Sequence, residues 1–300
     1  MIDIGITGGE TIAAGELVRL LINHPDVNIK WIEAKNLQGK IAHLHKGLLG
    51  ECDLEFTSPQ LDDVDIVFCC NPNDAPWCVK ALDANPELRV IDLSRAIPTT
   101  RDHKYGMCEI NRKFMVHDCY GLITLPTPHA MAVLLALIPL AKSMILGGNI
   151  DVNIKCGTLT PLVDNESLSI EIMTVLNALQ PNLDCRLNIA TSQPQEFAPR
   201  QLEAQVSLPC QANIGAVAQM FNTYYDDHNF TFLSENIAGF DEVNNTNKCL
   251  INIDIKQDTL LVRTVIDSLL KGCAGNAVHL MNLLFGLHEK VGLALKAQVF

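Results

Sequence analysis

Residues 2–24 read IDIGITGGETIAAGELVRLLINH. The stretch opens on a mostly apolar, β-branched run (residues 2–6), passes through TGGETIAAG, and continues in ELVRLLINH with apolar residues three and four apart. The first pattern suits a strand and the last an amphipathic helix, so the chain begins strand, glycine turn, helix. Working outward, residues 26–34 (DVNIKWIEA), 65–69 (DIVFC) and 89–93 (RVIDL) read as further strands. The run at 65–69 has the unbroken apolar character of a strand covered on both faces. Between the last two, residues 75–86 (APWCVKALDANP) keep helical spacing and close on a proline. Strands alternating with helices predict a Rossmann-like, doubly wound parallel sheet.

Beyond an apolar helix expected over about residues 129–146, the pair Gly147 and Gly148 marks a change of pattern. Residues 183–191, 248–256 and 260–267 alternate apolar and polar side chains, as antiparallel strands with one covered face do, while 166–179 and 214–225 are helical. The expected fold is therefore α/β, with a second α+β domain built on a mostly antiparallel sheet. Residues 241–248 (DEVNNTNK) read as a polar loop.

Composition narrows the function classes. The chain has 300 residues and a net charge of -12, from 34 acids against 22 bases. That field repels phosphate backbones and anionic lipid, so nucleic acid is not an expected partner. The longest apolar stretch, about residues 130–141, is shorter than the roughly 20 residues a membrane helix needs. The first residues enter a strand directly, without the basic and apolar regions of a secretory leader, and the expected location is the cytoplasm. Eleven cysteines occur without a CxxC spacing, which reads as reduced, packed thiols. His43 and His45 alternate as on one face of an extended segment but lack a third ligand nearby in sequence, so no metal is expected.

Several words of sequence carry a more specific signal: GELVRLLINHP at 15–25, VIDLS at 90–94, YGMCEINR at 105–112, NTNKCL at 245–250 and LLKGCAGNAVHLMNLLFGL at 269–287. Together they resemble the N-acetyl-γ-glutamyl-phosphate reductases of the semialdehyde dehydrogenase superfamily. The resemblance implies a nucleotide-binding domain at 1–147 and 270–300, with a C-terminal helix returning to it, and a substrate and oligomerisation domain at 148–269. It implies NADP or NAD as cofactor, a small acylated substrate of arginine biosynthesis, and a homo-oligomer.

The same resemblance locates the departures. A thiolate in these enzymes attacks an acyl phosphate, NADPH reduces the thioester, and a histidine moves protons. Anchored on LLALIPL at 134–140, the family's NPGCYPT-like motif falls on residues 125–131, and Pro128 takes the place of the nucleophile. Proline keeps a helix start but supplies neither thiol nor N–H. The histidine of an HRHTPEI-like motif corresponds to Phe197, and a KSGVSGAGR-like loop has become residues 155–161 (KCGTLTP). Cys156 and Cys119 are the cysteines positioned to replace the lost thiol, Cys119 with His117 two residues away, and His129 is the proton donor nearest the old motif, expected on a surface-facing helical turn. Gly8, Gly9 and Gly15, with Glu33 at the end of the second strand, are the candidate nucleotide ligands. Glu33 favours a ribose hydroxyl over a 2′-phosphate, hence NAD over NADP, while Lys35 opposes this. Glu10 places a carboxylate where a pyrophosphate rests.

Three functional readings stand side by side. One is a non-catalytic paralogue that binds a ligand or assembles with an active reductase. Another is an NAD(P)-dependent oxidoreductase whose chemistry has moved to Cys156 and His129. The third is a purely structural interaction protein, which a cleft filled by Pro128, Phe197 and Leu159 would support.

Overall fold

The computed structural model describes residues 1–61, 63–97, 104–117 and 121–297. The chain divides into two compact units, Met1–Pro126 with Cys273–Ala294 and a second centred on Thr127–Gly272.

The first unit contains β1 (Ile2–Thr7), α1 (Ile12–Leu21), β2 (Val27–Ile32), β3 (Ile66–Cys69), α2 (Ala75–Ala84), β4 (Arg89–Asp92), β5 (Lys104–Tyr105), α3 (Cys108–His117) and β6 (Gly121–Thr124). Its six strands lie in the order β2-β1-β3-β4-β6-β5 and pair in parallel throughout. Chain direction across the sheet reverses between β1 and β3, which makes the C-terminal ends of these two strands the topological switch point where such sheets bind ligands. Side-chain alternation along β3 explains its unbroken apolar run: Val67 and Cys69 join a core with Ala75, Cys78 and Ala81 of α2, and Ile66 and Phe68 are equally buried. Trp31 of β2 meets Trp77 of α2 edge to face at 5.8 Å.

The second unit begins with α4 (Pro128–Lys142) and continues through β7 (Gly148–Cys156), α5 (Asn165–Leu179), β8 (Cys185–Ser192), β9 (Gln201–Pro209), α6 (Ile214–Tyr225), β10 (Thr231–Leu233), β11 (Cys249–Lys256) and β12 (Thr259–Asp267). The sheet order is β10-β11-β12-β9-β7-β8, antiparallel through its centre and parallel at the β10-β11 and β7-β8 edges. Helices α4, α5 and α6 pack on this sheet. α4 is apolar all round and buried from His129 to Ala141, as a helix enclosed by a sheet and two other helices must be. The boundary expected at residue 148 leaves α4 with the first domain; its packing on α5, α6, β9 and β12 instead makes it the central helix of the second unit.

A π-helical turn, Leu270–Ala274, leads into α7 (Gly275–Leu284), which lies in the first unit against α1 and α3. His24 and Asn282 are joined at 3.0 Å there, and Glu289 accepts from Arg112 at 2.8 Å and is bonded to His279 at 2.6 Å, so buried polar groups tie the chain after α7 into place. Among the described residues no helix is long and apolar enough to cross a membrane.

Candidate functional site

The switch point of the first unit brings together all four candidate nucleotide residues. Gly8 has φ +68°, and a β-carbon there would lie 2.5 Å from the Asn71 side chain, so the turn out of β1 requires glycine on both conformational and steric grounds. Gly9 donates its N–H to the Glu33 carbonyl at 2.7 Å and packs beside Ile32 and Phe56. Gly15 faces the His45 ring, which is itself bonded to the Gly9 carbonyl at 2.7 Å. His45 therefore braces the glycine loop. His43 closes one 3₁₀ turn and His45 precedes the next, so the pair does not share one extended face.

The loop's own carboxylates dominate its electrostatics. Burial, reinforced by the Asp74 carboxylate, pushes the Glu33 carboxyl above its ordinary range, and only the Gly8 N–H and Lys35 oppose this shift. Asp74 is raised in the same way, by burial and then by Glu10. Glu10 accepts a short hydrogen bond from the Asn71 amide across the switch point, and its other carboxylate oxygen is buried with no hydrogen-bond partner among the described residues. Several loop amides are already committed: Gly8 to the Glu33 carboxylate, Gly9 to the Glu33 carbonyl, Thr11 to Gly8, and Ala14 to the Thr11 hydroxyl that caps α1. The glycine turn leads into a helix capped by Thr11, and the Glu33 and Glu10 carboxylates lie in the turn that precedes it, bonded to the Gly8 N–H and the Asn71 amide.

Behind the loop, Asp92 is fully buried at the end of β4 and accepts from the Ser94 N–H and hydroxyl and from the Arg95 and Ile97 N–H groups. This turn sets Arg95 at φ +61° with its Nε donating to the Pro126 carbonyl at 2.9 Å. Cys273 lies against Arg95; burial raises its thiol and the guanidinium pulls the other way. Asn276 donates to the Gly106 carbonyl at 2.8 Å and keeps a buried amide oxygen with no hydrogen-bond partner among the described residues. Asp92, Arg95 and Asn276 go beyond the site residues expected from the sequence; the signal that could find them is the family resemblance of VIDLS and LLKGCAGNAVHLMNLLFGL, within or beside which all three lie.

In the second unit, Pro128 is the first residue of α4 and Thr127 its cap, the Thr127 hydroxyl accepting from the Ala130 N–H at 3.1 Å. Glu171 of α5 brings both carboxylate oxygens to Thr127, accepting from its N–H at 2.9 Å and its hydroxyl at 2.7 Å. A carboxylate of the chain itself thus sits at the positive end of α4. Pro128 also fills the space above Gly272, where a β-carbon would come within 2.8 Å of the proline ring. His129 is 1% exposed, which corrects the expectation of a surface-facing turn: α4 is enclosed from its first residues onward.

Cys156 ends β7 fully buried, its thiol donating to the Thr160 and Ser192 carbonyls at 3.7 Å each, and burial raises its pKa. A thiol in these surroundings stays protonated at neutral pH and is a poor nucleophile. Phe197 lies half-buried in the turn before β9, next to the backbone of Ala198 and Pro199 on which Gly157 packs. Cys119 lies outside the described residues.

Comparison with known proteins adds a family to this geometry. Residues 3–117 match the model of the semialdehyde dehydrogenase NAD-binding domain. The chain is 36% identical to an N-acetyl-gamma-glutamyl-phosphate reductase of Parabacteroides distasonis, with 100% of each chain covered, and equally to one of Phocaeicola vulgatus. A reductase of the same name from Christiangramia forsetii is 31% identical, again over 100% of both. Among solved structures, aspartate semialdehyde dehydrogenase with NADP from Candida albicans superposes with a TM-score of 0.74 at 11% identity, covering 95% of this chain and 99% of that one. The Vibrio cholerae aspartate semialdehyde dehydrogenase II gives 0.72 at 14% identity, with the same coverage. At these identities the structural likeness speaks for the fold.

Proposed function

Because this chain belongs to the N-acetyl-gamma-glutamyl-phosphate reductase family, we propose that it keeps the family's scaffold and nicotinamide-nucleotide unit but has lost thiol-dependent reduction of an acyl phosphate, and acts as a ligand-binding or partner-binding paralogue. The observation that carries this reading is the head of α4: the first helical residue is Pro128, and the neighbouring amide and hydroxyl of Thr127 are taken by Glu171. A nucleophile there needs a thiolate stabilised by the helix terminus, and Pro128 supplies no thiol while Glu171 supplies repulsion. Phe197, matched to the family's histidine through the separate HRHTPEI-like motif, leaves no proton carrier at that position. Relocation of the nucleophile to Cys156 is disfavoured by its enclosed, protonated thiol.

The glycine turn at Gly8 and Gly9 supports retained binding of a dinucleotide, with Glu33 favouring NAD over NADP. Glu10 and Asp74 weaken the site for either. The second unit's sheet is covered by helices on one side, and the alternate exposed positions along β7 and β9 form an open polar face, which supports self-association or pairing with a catalytically active relative.

Titration of the purified protein with NADH and NADPH, followed by nicotinamide fluorescence, tests this reading. Saturable binding tighter for NADH is the expected result. Absence of binding at millimolar cofactor would remove the nucleotide part of the proposal and leave a scaffold alone; preferential NADPH binding would overturn the role given to Glu33.

A further inference from the structure

On the side of the second unit's sheet that carries no helix, strands β7, β8, β9 and β12 enclose a pocket of about 340 Å³. β7 contributes Asn153 and Lys155, β8 Ala190, β9 Glu203 and Gln205, and β12 Arg263. Strand pairing sets them side by side: Asn153 lies opposite Gln205 on one neighbour and Ala190 on the other, Lys155 opposite Glu203, and Gln205 opposite Arg263. Successive side chains alternate faces, so these positions share the open face while Val152, Ile154, Ala204 and Val262 are buried on the other. One wall is fixed by the chain itself. Arg263 donates to Glu203 through Nη2 at 2.7 Å and Nε at 3.2 Å, and through Nη1 to the Ala238 carbonyl at 2.8 Å. The other Glu203 oxygen accepts from the Gln201 amide at 2.9 Å. The two side chains of this ion pair are only 21% and 16% exposed, so they form a held wall and not a loose surface contact. What stays uncommitted is on β7 and β9: among the described residues, the Lys155 ammonium and the Asn153 and Gln205 amides have no side-chain partner.

We propose that this pocket binds a small carboxylate that also carries an amide, the chemical class of the N-acylated amino acids. Lys155 and Arg263 stand against the single carboxylate of Glu203, which leaves one cation in excess on a chain whose net charge is -12. A locally positive pocket on an anionic chain draws a small anion. Lys155 and the N–H groups that Arg263 has left over meet the ligand's carboxylate, while Asn153 and Gln205 each offer N–H donors and a carbonyl to its amide. A free amino acid fits less well, because both Glu203 oxygens are taken and its ammonium finds no open carboxylate. Inorganic phosphate brings more negative charge than one excess cation balances and has no carbonyl for the two amides to donate to. The pocket uses no residue of the glycine loop or of the α4 terminus, so it is a site beyond the function proposed for those two places.

The test is isothermal titration calorimetry of the purified protein with N-acetylglycine, with glycine and inorganic phosphate as comparison probes and light scattering alongside. Saturable heat in the millimolar range is expected for N-acetylglycine, with glycine and phosphate weaker. Lys155→Gln is expected to weaken binding roughly fivefold, the scale of one solvent-exposed ion pair. Gln205→Leu, on the facing strand, is expected to weaken it as well. Both positions are exposed, so the circular dichroism of each variant is expected to match the wild type. Wild-type affinity in both variants would place the ligand elsewhere and overturn the proposal. Glycine or phosphate binding as tightly as N-acetylglycine would overturn the class of ligand assigned. Absence of saturable heat would overturn the site itself, and a dimer by light scattering would then identify a second copy as what covers this face. NADH binding is read separately at the glycine loop, so either reading can fail without the other.

Discussion

At the scale of single residues, the cap of α4 is met by the Glu171 carboxylate, and in the glycine loop Glu10 stands just before the Thr11 cap of α1, bonded to Asn71. Glu10→Ala removes the charge nearest the pyrophosphate position, and the expected effect is roughly tenfold tighter NADH binding by fluorescence titration, the scale of one partly solvated like-charge contact. Unchanged affinity would place the Glu10 carboxylate away from the bound phosphates. Pro128→Cys restores a thiol without restoring its surroundings. Alkylation of that thiol by iodoacetamide is expected to be slow, and faster in Pro128→Cys combined with Glu171→Gln, where the repelling carboxylate is gone. Equal alkylation rates in both variants would show that Glu171 does not act on the α4 terminus.

Individual elements show where the sequence is legible and where it is not. The strands at 65–69, 89–93, 248–256 and 260–267 and the helices at 75–86, 166–179 and 214–225 carry their period openly, since each has one dominant covered face or is covered on both. β6, β9 and β10 go beyond the strands expected from the sequence: β6 and β10 are only Gly121–Thr124 and Thr231–Leu233, while β9 alternates buried Leu202, Ala204, Val206 and Leu208 with more exposed residues. The glycine loop is legible because glycine is demanded by backbone geometry; Glu171 is not, because its partner Thr127 lies 44 residues away and only the fold brings them together, and the local turn that Asp92 makes with Ser94, Arg95 and Ile97 leaves no periodic signal. Asp267 is such a case. It is fully buried at the end of β12, paired with Arg200 at 2.8 Å, and accepts N–H groups from Asn245 and Leu269. Arg200→Ala is expected to cost roughly 2–3 kcal/mol in urea denaturation, towards the low side for a broken buried pair because Arg200 keeps some water contact. A loss near zero would mean that the backbone donors alone hold Asp267. Glu33 and Asp74 give the pH prediction. Both carboxyls are raised in the folded state, so the native chain holds these protons more tightly than the unfolded one, and their contribution to stability is greatest below about pH 4 and is lost as pH rises through the folded values. Glu33→Gln is expected to melt above the wild type at pH 7, with the difference shrinking towards pH 4; a difference that grows on acidification has the wrong sign.

For the whole molecule, the proposed reading is that the two-unit scaffold is kept while the thiol chemistry is lost at the head of α4. Light scattering on the purified protein is expected to give at least twice the 33.0 kDa chain mass, given the open polar face of the second sheet; a monomer at micromolar concentration would shift weight to pairing with another reductase. The most direct test of the central claim is the rate of NADPH and NADH oxidation when the protein is mixed with N-acetyl-γ-glutamyl phosphate, read from nicotinamide absorbance with and without prior thiol alkylation. The account predicts a rate equal to that of the protein-free mixture in every condition. Turnover abolished by alkylation would contradict it, and would mean that a cysteine other than one at position 128 carries the reduction.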